Sequence, residues 1–579
     1  MRPELLAVRA VNQYRRRDVL AYLGLRYYLR NSCAQADKWA RDVSSHLVCT
    51  RISPIYLRSF HFKEMGENEI VIHRNLYLPG PNEAYAEAML LNECSSYPAF
   101  RSSDCVYSYQ FPSSRVKEGI FRNYFPGYQE RHRSIASYCN DLKDAKVLYT
   151  DIKKFYPSIR KELALQVWSS ACDSSGISPK IRELGERLLS DQNLASVTYQ
   201  EGLGLLTGPM FTHMIANLVL AEIDKAMSEK MDGRYWRYVD DMVLVGNDDE
   251  IKTGREILSS MLKDLGFSLH DEGKDFTVDG AVWLDGVNDF DESDGKTWIS
   301  LIGNIKRFLV AQPEKRDELI DIFSANGINI PLLDYSNAVK ESTYLDKLSD
   351  WLRFRWAAKS MRGLTINMLV RDAIQAREIY QRGMNILLDK NPDIKGYERK
   401  RLIPKLRFYA GRLIYLATPD SLLTIGTALV NYPELRLQAE VMKAIQSKDI
   451  SSLLKFGANA VQAAAQILRI RDEAVNCTLD TFNEVDLQGL AILRLNGVKV
   501  DFLGEDVLGK TINDPLNQFA LGYNLAKLMK SDDPFIKEIA CLCGAEGLVS
   551  HKVILDTAFD RDEHLIFDII NQLNESSYF

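Results

Sequence analysis

Arg237-Tyr238-Val239-Asp240-Asp241-Met242-Val243-Leu244-Val245 sets two adjacent carboxylates between β-forming residues on both sides. The pattern predicts strand, tight turn, strand, with the acids at the turn. Successive side chains on a strand point to opposite faces. Asp240 and Asp241 can therefore serve one cleft only if the backbone reverses beside them. An isolated Asp-Asp pair is usually an ordinary surface turn, where aspartate hydrogen-bonds its own backbone. What changes the reading is the company this pair keeps.

Upstream lies Lys146-Val-Leu-Tyr-Thr-Asp151-Ile152-Lys-Lys-Phe155-Tyr156-Pro157. An apolar strand ends in an acid, and an aromatic pair and a proline follow. Between the two acidic sites sits Gly202-Leu-Gly-Leu-Leu-Thr207-Gly208-Pro209-Met-Phe-Thr212-His213, a glycine-rich turn running into a helix. Three carboxylates on two strands, with such a turn between them, make the ligand set of a two-metal phosphoryl-transfer site. Hard Mg²⁺ takes oxygen ligands and keeps positions open for phosphate and water. Two such ions about 4 Å apart stabilise the attacking and leaving oxygens together.

These blocks resemble motifs A, B and C of reverse transcriptases, in order, and Tyr238-Val-Asp-Asp241 is the most specific of them. The resemblance implies metal ligation by Asp151, Asp240 and Asp241, with the main-chain carbonyl of Ile152 beside them, and two Mg²⁺ ions for which Mn²⁺ can substitute. It implies deoxynucleoside triphosphates as substrates. Tyr156, five positions after Asp151, falls at the steric-gate position, where a ring packs against C2′ and collides with a 2′-hydroxyl; Phe155 reads as core. Thr207 and Gly208 would lie along the template or the nascent pair, and Tyr238 falls among the nucleotide contacts. Leu206 stands where proline is common, and Thr212-His213 where Ser-Pro is common. Arg131 and Arg133, just before motif A, fall where basic residues meet the triphosphate. On a strand they would share a face, and arginine's planar fork suits phosphate. Leu265-Gly-Phe-Ser-Leu-His270-Asp-Glu-Gly-Lys274 resembles motif D, which makes Lys274 a candidate general acid for the leaving pyrophosphate.

The chain has 579 residues, enough for several domains. It is 46% hydrophobic and 26% charged, with a formal net charge of −6. A chain that coats nucleic acid by bulk charge is excluded, so any such binding needs a local basic channel. Nine cysteines are scattered without zinc-ligand spacing, which predicts free thiols in a reducing cytoplasm. No apolar run is long enough to cross a membrane, and the N-terminal stretch lacks the apolar core of a signal peptide.

The expected architecture is an α+β right hand followed by an all-α, HEAT-like repeat domain. Residues 1–145 would form N-terminal helices and fingers, 146–295 the palm, 296–375 a helical thumb and 376–579 the repeat. Interleaved arginine and tyrosine at 14–30 suit phosphate contact with base stacking or, equally, a solvated face. Arg41-Asp-Val-Ser-Ser-His46 matches a short signature of small helical ribonucleases that chance also produces. Beyond 375, short amphipathic helices such as Leu435/Ala439/Met442/Ile445 and Val461/Ala464/Ala465/Leu468 bury their stripes only by stacking on neighbours.

The order of these parts is similar to the bacterial defence-associated reverse transcriptases, the abortive-infection (AbiK-like) group. The resemblance implies anti-phage DNA synthesis and a homo-oligomer. It also implies synthesis that can be template-independent and primed on a protein hydroxyl, leaving DNA attached to one of the 27 tyrosines. Two alternatives stand beside it: an RNA-templated enzyme using a dedicated non-coding RNA, and a non-catalytic helical-repeat scaffold.

Overall fold

The computed structural model describes residues 55–544, apart from 113–119, 123, 143, 200, 201, 203, 271–274, 288–291, 331, 333–362, 391, 472 and 473. Strands β1 (Tyr56–Met65) and β2 (Val71–Pro79) form an antiparallel hairpin. Its outer edge is covered by side chains from far along the chain. The Phe60 amide donates to Gln488 Oε1 at 3.1 Å and the Phe62 amide to Asn459 Oδ1 at 3.0 Å, while Gln488 Nε2 donates back to the Arg58 carbonyl at 2.9 Å. Side-chain amides thus stand in for a third strand and satisfy an otherwise open edge.

Helices α1 (Pro81–Cys94) and α2 (Tyr124–Asp141) follow. The second corrects an expectation. Arg131 and Arg133 lie on a helix, not a strand, because Ile135, Ala136 and Cys139 bury at helical spacing. Residues two apart on a helix point to nearly opposite sides. Arg131 is accordingly buried and Arg133 exposed.

The central sheet is built from β3 (Lys146–Asp151), β4 (Tyr235–Tyr238), β5 (Asp241–Gly246) and β6 (Phe276–Asp279), in the order β4-β5-β3-β6, with all neighbours antiparallel. Between β3 and β4 come α3 (Phe155–Ser158), α4 (Lys161–Ser175), α5 (Pro179–Thr198) and α6 (Met210–Lys230). Helix α7 (Asp248–Asp264) separates β5 from β6, and α8 (Gly280–Val287) follows β6. Alternation sorts the two faces. Leu148, Met242, Leu244 and Tyr235 pack with Ile223 and Met227 of α6 and Leu258 of α7. Val147, Tyr149, Trp236, Val243 and Val245 pack with Ile135 and Cys139 of α2 and Trp283 of α8.

The remainder is helical: α9 (Glu292–Ala311), α10 (Arg316–Ala325), α11 (Ile366–Leu388), α12 (Gly396–Leu416), α13 (Pro419–Leu429), α14 (Arg436–Ser447), α15 (Ser451–Leu454), α16 (Ala458–Arg471), α17 (Glu484–Leu495), α18 (Glu505–Ile512), α19 (Pro515–Ala520), α20 (Leu525–Leu528) and α21 (Pro534–Gly544). Both expected stripes are buried. The breaks act as breakers should: Pro419 opens α13, and Lys448, at φ 56°, closes α14 in the left-handed region. This region is not purely helical. A short parallel pair, β7 (Val475–Cys477) and β8 (Val500–Phe502), interrupts it. The expected boundary at 375/376 falls inside α11, whose buried Leu369, Ala373, Ala376, Tyr380 and Met384 run without a break. One hydrophobic core joins α9 to α21.

Among the described residues no helix is long and apolar enough to cross a membrane. Cys94, Cys105, Cys139, Cys172 and Cys477 are buried free thiols.

Candidate metal centre

Asp151 ends β3, and Asp241 opens β5 directly opposite it in the antiparallel register. Both therefore project from the same face of the sheet. Asp240 lies in the two-residue turn between Tyr238 and Asp241, which pair with each other. The backbone does reverse beside the two acids, and this is what lets both serve one cleft. Carboxylate oxygens of Asp151, Asp240 and Asp241 lie within 4.8 Å of one another, close enough to hold a metal ion. Burial, together with the charges of Asp151 and Asp241, pushes the Asp240 carboxyl up to about 7. Three acids converging with so little solvent make a site short of positive charge.

The turn is strained and held. Val239, a β-branched residue, has φ 59°, a conformation that glycine or asparagine adopts more readily. Its amide donates to Ser108 Oγ at 2.8 Å, and its carbonyl accepts from Arg237 NH1 at 2.8 Å. Arg237 is fully buried. Its guanidinium grips Asp224 of α6 with two bonds, Nε to Oδ1 at 2.7 Å and NH2 to Oδ2 at 2.6 Å, and donates to Asn217 Oδ1 at 3.1 Å. Removing one partner from such a buried pair strands the other charge. The helix after the glycine-rich turn thereby fixes the acidic turn from behind. On the other side, the Ile152 amide donates to the Asp240 carbonyl at 3.3 Å and the His270 amide to the Asp151 carbonyl at 2.8 Å.

The other expected site residues fall in different places. Thr207 and Gly208 meet the hairpin: the Tyr77 amide donates to the Thr207 carbonyl at 2.8 Å. Gly208 has φ 133°, and a Cβ there would stand 2.5 Å from the Tyr77 carbonyl oxygen, so the close approach requires glycine. Phe155 is core, as expected, at 2% exposure. Tyr156 is also buried, and its hydroxyl shares a 2.7 Å hydrogen bond with His213 Nδ1. Tyr238 meets Tyr128 of α2 edge to face, with ring centroids 5.5 Å apart. Arg131 lies on the same face of the sheet as Asp151 and Asp241, with its guanidinium 6.0 Å from the Tyr149 ring centre. Arg133 is exposed on the far side of α2. Lys274, residues 1–54 with Arg41 and His46, and the last 35 positions lie outside the described residues.

Sequence reading missed several parts. Arg237 and Asp224 carry no motif, since a buried ion pair is visible only once strand and helix meet. Arg74, exposed on β2, draws the Asp240 carboxyl back down by its charge. Arg74 is carried by the hairpin that sits on the glycine-rich turn. Lys400 of α12 sits with its ammonium 2.9 Å from the Tyr149 ring centre, and Tyr397 stacks on Trp283 at 5.3 Å, so a helix from the last third braces the acid-bearing strand. No protein-family model and no curated protein matches the chain.

Proposed function

We propose that this chain is a reverse-transcriptase-like nucleotidyltransferase of the bacterial defence-associated group, adding deoxynucleotides to a growing strand. The observation that carries this reading is the register: Asp151 opposite Asp241, with Asp240 in the adjoining turn, and all three carboxylates within 4.8 Å. An all-carboxylate oxygen set, whose burial and mutual repulsion raise the Asp240 carboxyl, fits hard divalent cations such as Mg²⁺. Asp151, Asp240 and Asp241 would hold two such ions with the Ile152 carbonyl. When bound, the ions neutralise phosphate charge and ease deprotonation of the attacking hydroxyl.

The chain's own residues supply orientation. Arg237 and Ser108 hold the acidic turn. Arg74 offers a cation on the hairpin side of the acids, where a triphosphate would enter. Tyr156 would stand against C2′ of the incoming sugar. In this reading the four-stranded sheet is a palm, the β1–β2 hairpin belongs to the fingers, α9 and α10 begin the thumb, and the later helices are a repeat array that braces all three.

The test is incorporation. Purified protein is given labelled deoxynucleoside triphosphates and Mg²⁺, with no primer or template, then treated with nuclease and run on a denaturing gel. A label that stays with the protein supports synthesis on a protein hydroxyl. Label that appears only with added RNA and primer supports the templated alternative. No incorporation under either condition, or full incorporation by the Asp240→Asn/Asp241→Asn double variant, refutes the assignment.

A further inference from the structure

We propose that His213, buttressed by Tyr109, positions the Tyr156 ring and so sets the discrimination between deoxy- and ribonucleotides. The inference rests on the polymerase reading above. Tyr156 and His213 come from separate blocks, one after Asp151 and one after the glycine-rich turn. The structure joins them by the 2.7 Å bond between the Tyr156 hydroxyl and His213 Nδ1, with the rings edge to face at 5.4 Å and 71°. Tyr109 lies flat on a face of the imidazole, 3.7 Å between centroids and 6° between planes. To reach that place Tyr109 adopts φ 49°, unusual for a tyrosine. Its outer edge meets Phe121 at 5.5 Å.

The support beneath this stack is fixed. His213 lies in the first turn of α6, where the Met210 amide donates to Glu87 Oε2 at 2.8 Å and Thr212 Oγ1 donates to Gln192 Oε1 at 2.7 Å. The Tyr156 carbonyl accepts from the Leu205 amide at 3.1 Å. Both the backbone and the hydroxyl of Tyr156 are thus tied to the 205–213 segment.

A ring that excludes a 2′-hydroxyl does so only if it cannot turn aside. Side chains rest in a few staggered rotamers, and a bond at the far end of the ring removes the alternatives. Proline at 213 would offer no nitrogen for that bond. The departure of Thr212-His213 from the common Ser-Pro therefore has a physical counterpart in the phenol of Tyr156.

The test measures kcat/KM for a deoxynucleoside triphosphate and for its ribonucleotide counterpart, and takes the ratio. Tyr156→Phe keeps the ring and removes the tether, and His213→Ala removes the other end. Each is expected to lower the ratio about five- to tenfold, the worth of one buried hydrogen bond. The double variant should fall no further than either single one, because both remove the same bond. His213→Asn places an amide atom near the Nδ1 position and should hold the ratio within about twofold of wild type. Tyr109→Leu should follow His213→Ala in direction. Ratios within about twofold of wild type in both Tyr156→Phe and His213→Ala overturn the inference, even if thermal stability falls, because plain core packing would slow both substrates alike. A wild-type protein that joins no deoxynucleotide at all overturns the polymerase reading and this inference with it.

Discussion

Asp240→Asn tests the convergence of the carboxylates without reference to any reaction. The substitution keeps the side chain's shape and removes its charge. In the folded, metal-free chain the Asp240 carboxyl titrates near 7, against 3.8 for an ordinary aspartate. The sign follows from linkage. Between those values the folded chain holds a proton that the unfolded chain releases, so stability falls as pH rises from about 4 to about 7, and stays lost above. The difference sets an upper bound of about 4 kcal/mol. Solvent reaching the site and shared titration with Asp151 and Asp241 reduce it, to roughly 1–3 kcal/mol. The assay is urea denaturation of wild type and variant at pH 4.5 and pH 8, with EDTA and then with excess Mg²⁺. In EDTA the asparagine variant should be the more stable at pH 8 and nearly equal to wild type at pH 4.5. Added Mg²⁺ should stabilise wild type more than the variant. Reading the difference matters, because His132 pulls the other way over the same pH range. Burial, with the charge of Arg131, lowers its pKa to about 3, so its contribution to stability is lost on acidification. A variant destabilised equally at every pH, with or without metal, would refute the reasoning.

Other substitutions probe the supports. Arg237→Ala should cost about 3–5 kcal/mol in urea denaturation, by leaving Asp224 buried and alone. Gly208→Ala, which puts a methyl against the Tyr77 carbonyl at φ 133°, should cost at least about 2 kcal/mol and abolish incorporation if the hairpin must sit on the turn. Lys400→Ala should lower stability by about 1–2 kcal/mol, the worth of a desolvated cation–π contact, measured by thermal and urea unfolding together. Relative to wild type, His132→Phe should gain stability as pH falls from about 6.5 towards 3, because the imidazole's loss on acidification is removed.

What was legible in the sequence was whatever depended on near neighbours. The strand–turn–strand at Asp240-Asp241, the strand ending at Asp151, and the helical stripes at 435–445 and 461–468 each follow from a local period, and each is present. The α2 region was misread because two arginines at alternate positions fit a strand as well as a helix. Only the wider spacing of Ile135, Ala136 and Cys139 separates the two. Long-range partners were not legible at all. No period reveals that Arg237 meets Asp224, that His213 meets Tyr156, or that Lys400 reaches Tyr149, since each joins elements whose packing is decided by the whole core. The expected boundary at 375/376 lies within one helix, and only the continuous buried stripe of that helix reveals it.

The covering of β1 by Gln488 and Asn459 has a consequence for synthesis on the ribosome. The hairpin is translated early, but the residues that complete its edge come roughly 400 positions later. At ordinary elongation rates that delay is about 20–80 s. Throughout it the nascent chain carries a strand with open amides, the kind of edge that recruits other strands. Translation intermediates halted before residue 450 should therefore be cleaved by protease within 56–79 and bound by chaperones, whereas released full-length chains should resist both. A truncation that removes Asn459 and Gln488 would leave every copy permanently in that early condition, which predicts insoluble material in place of a smaller working enzyme.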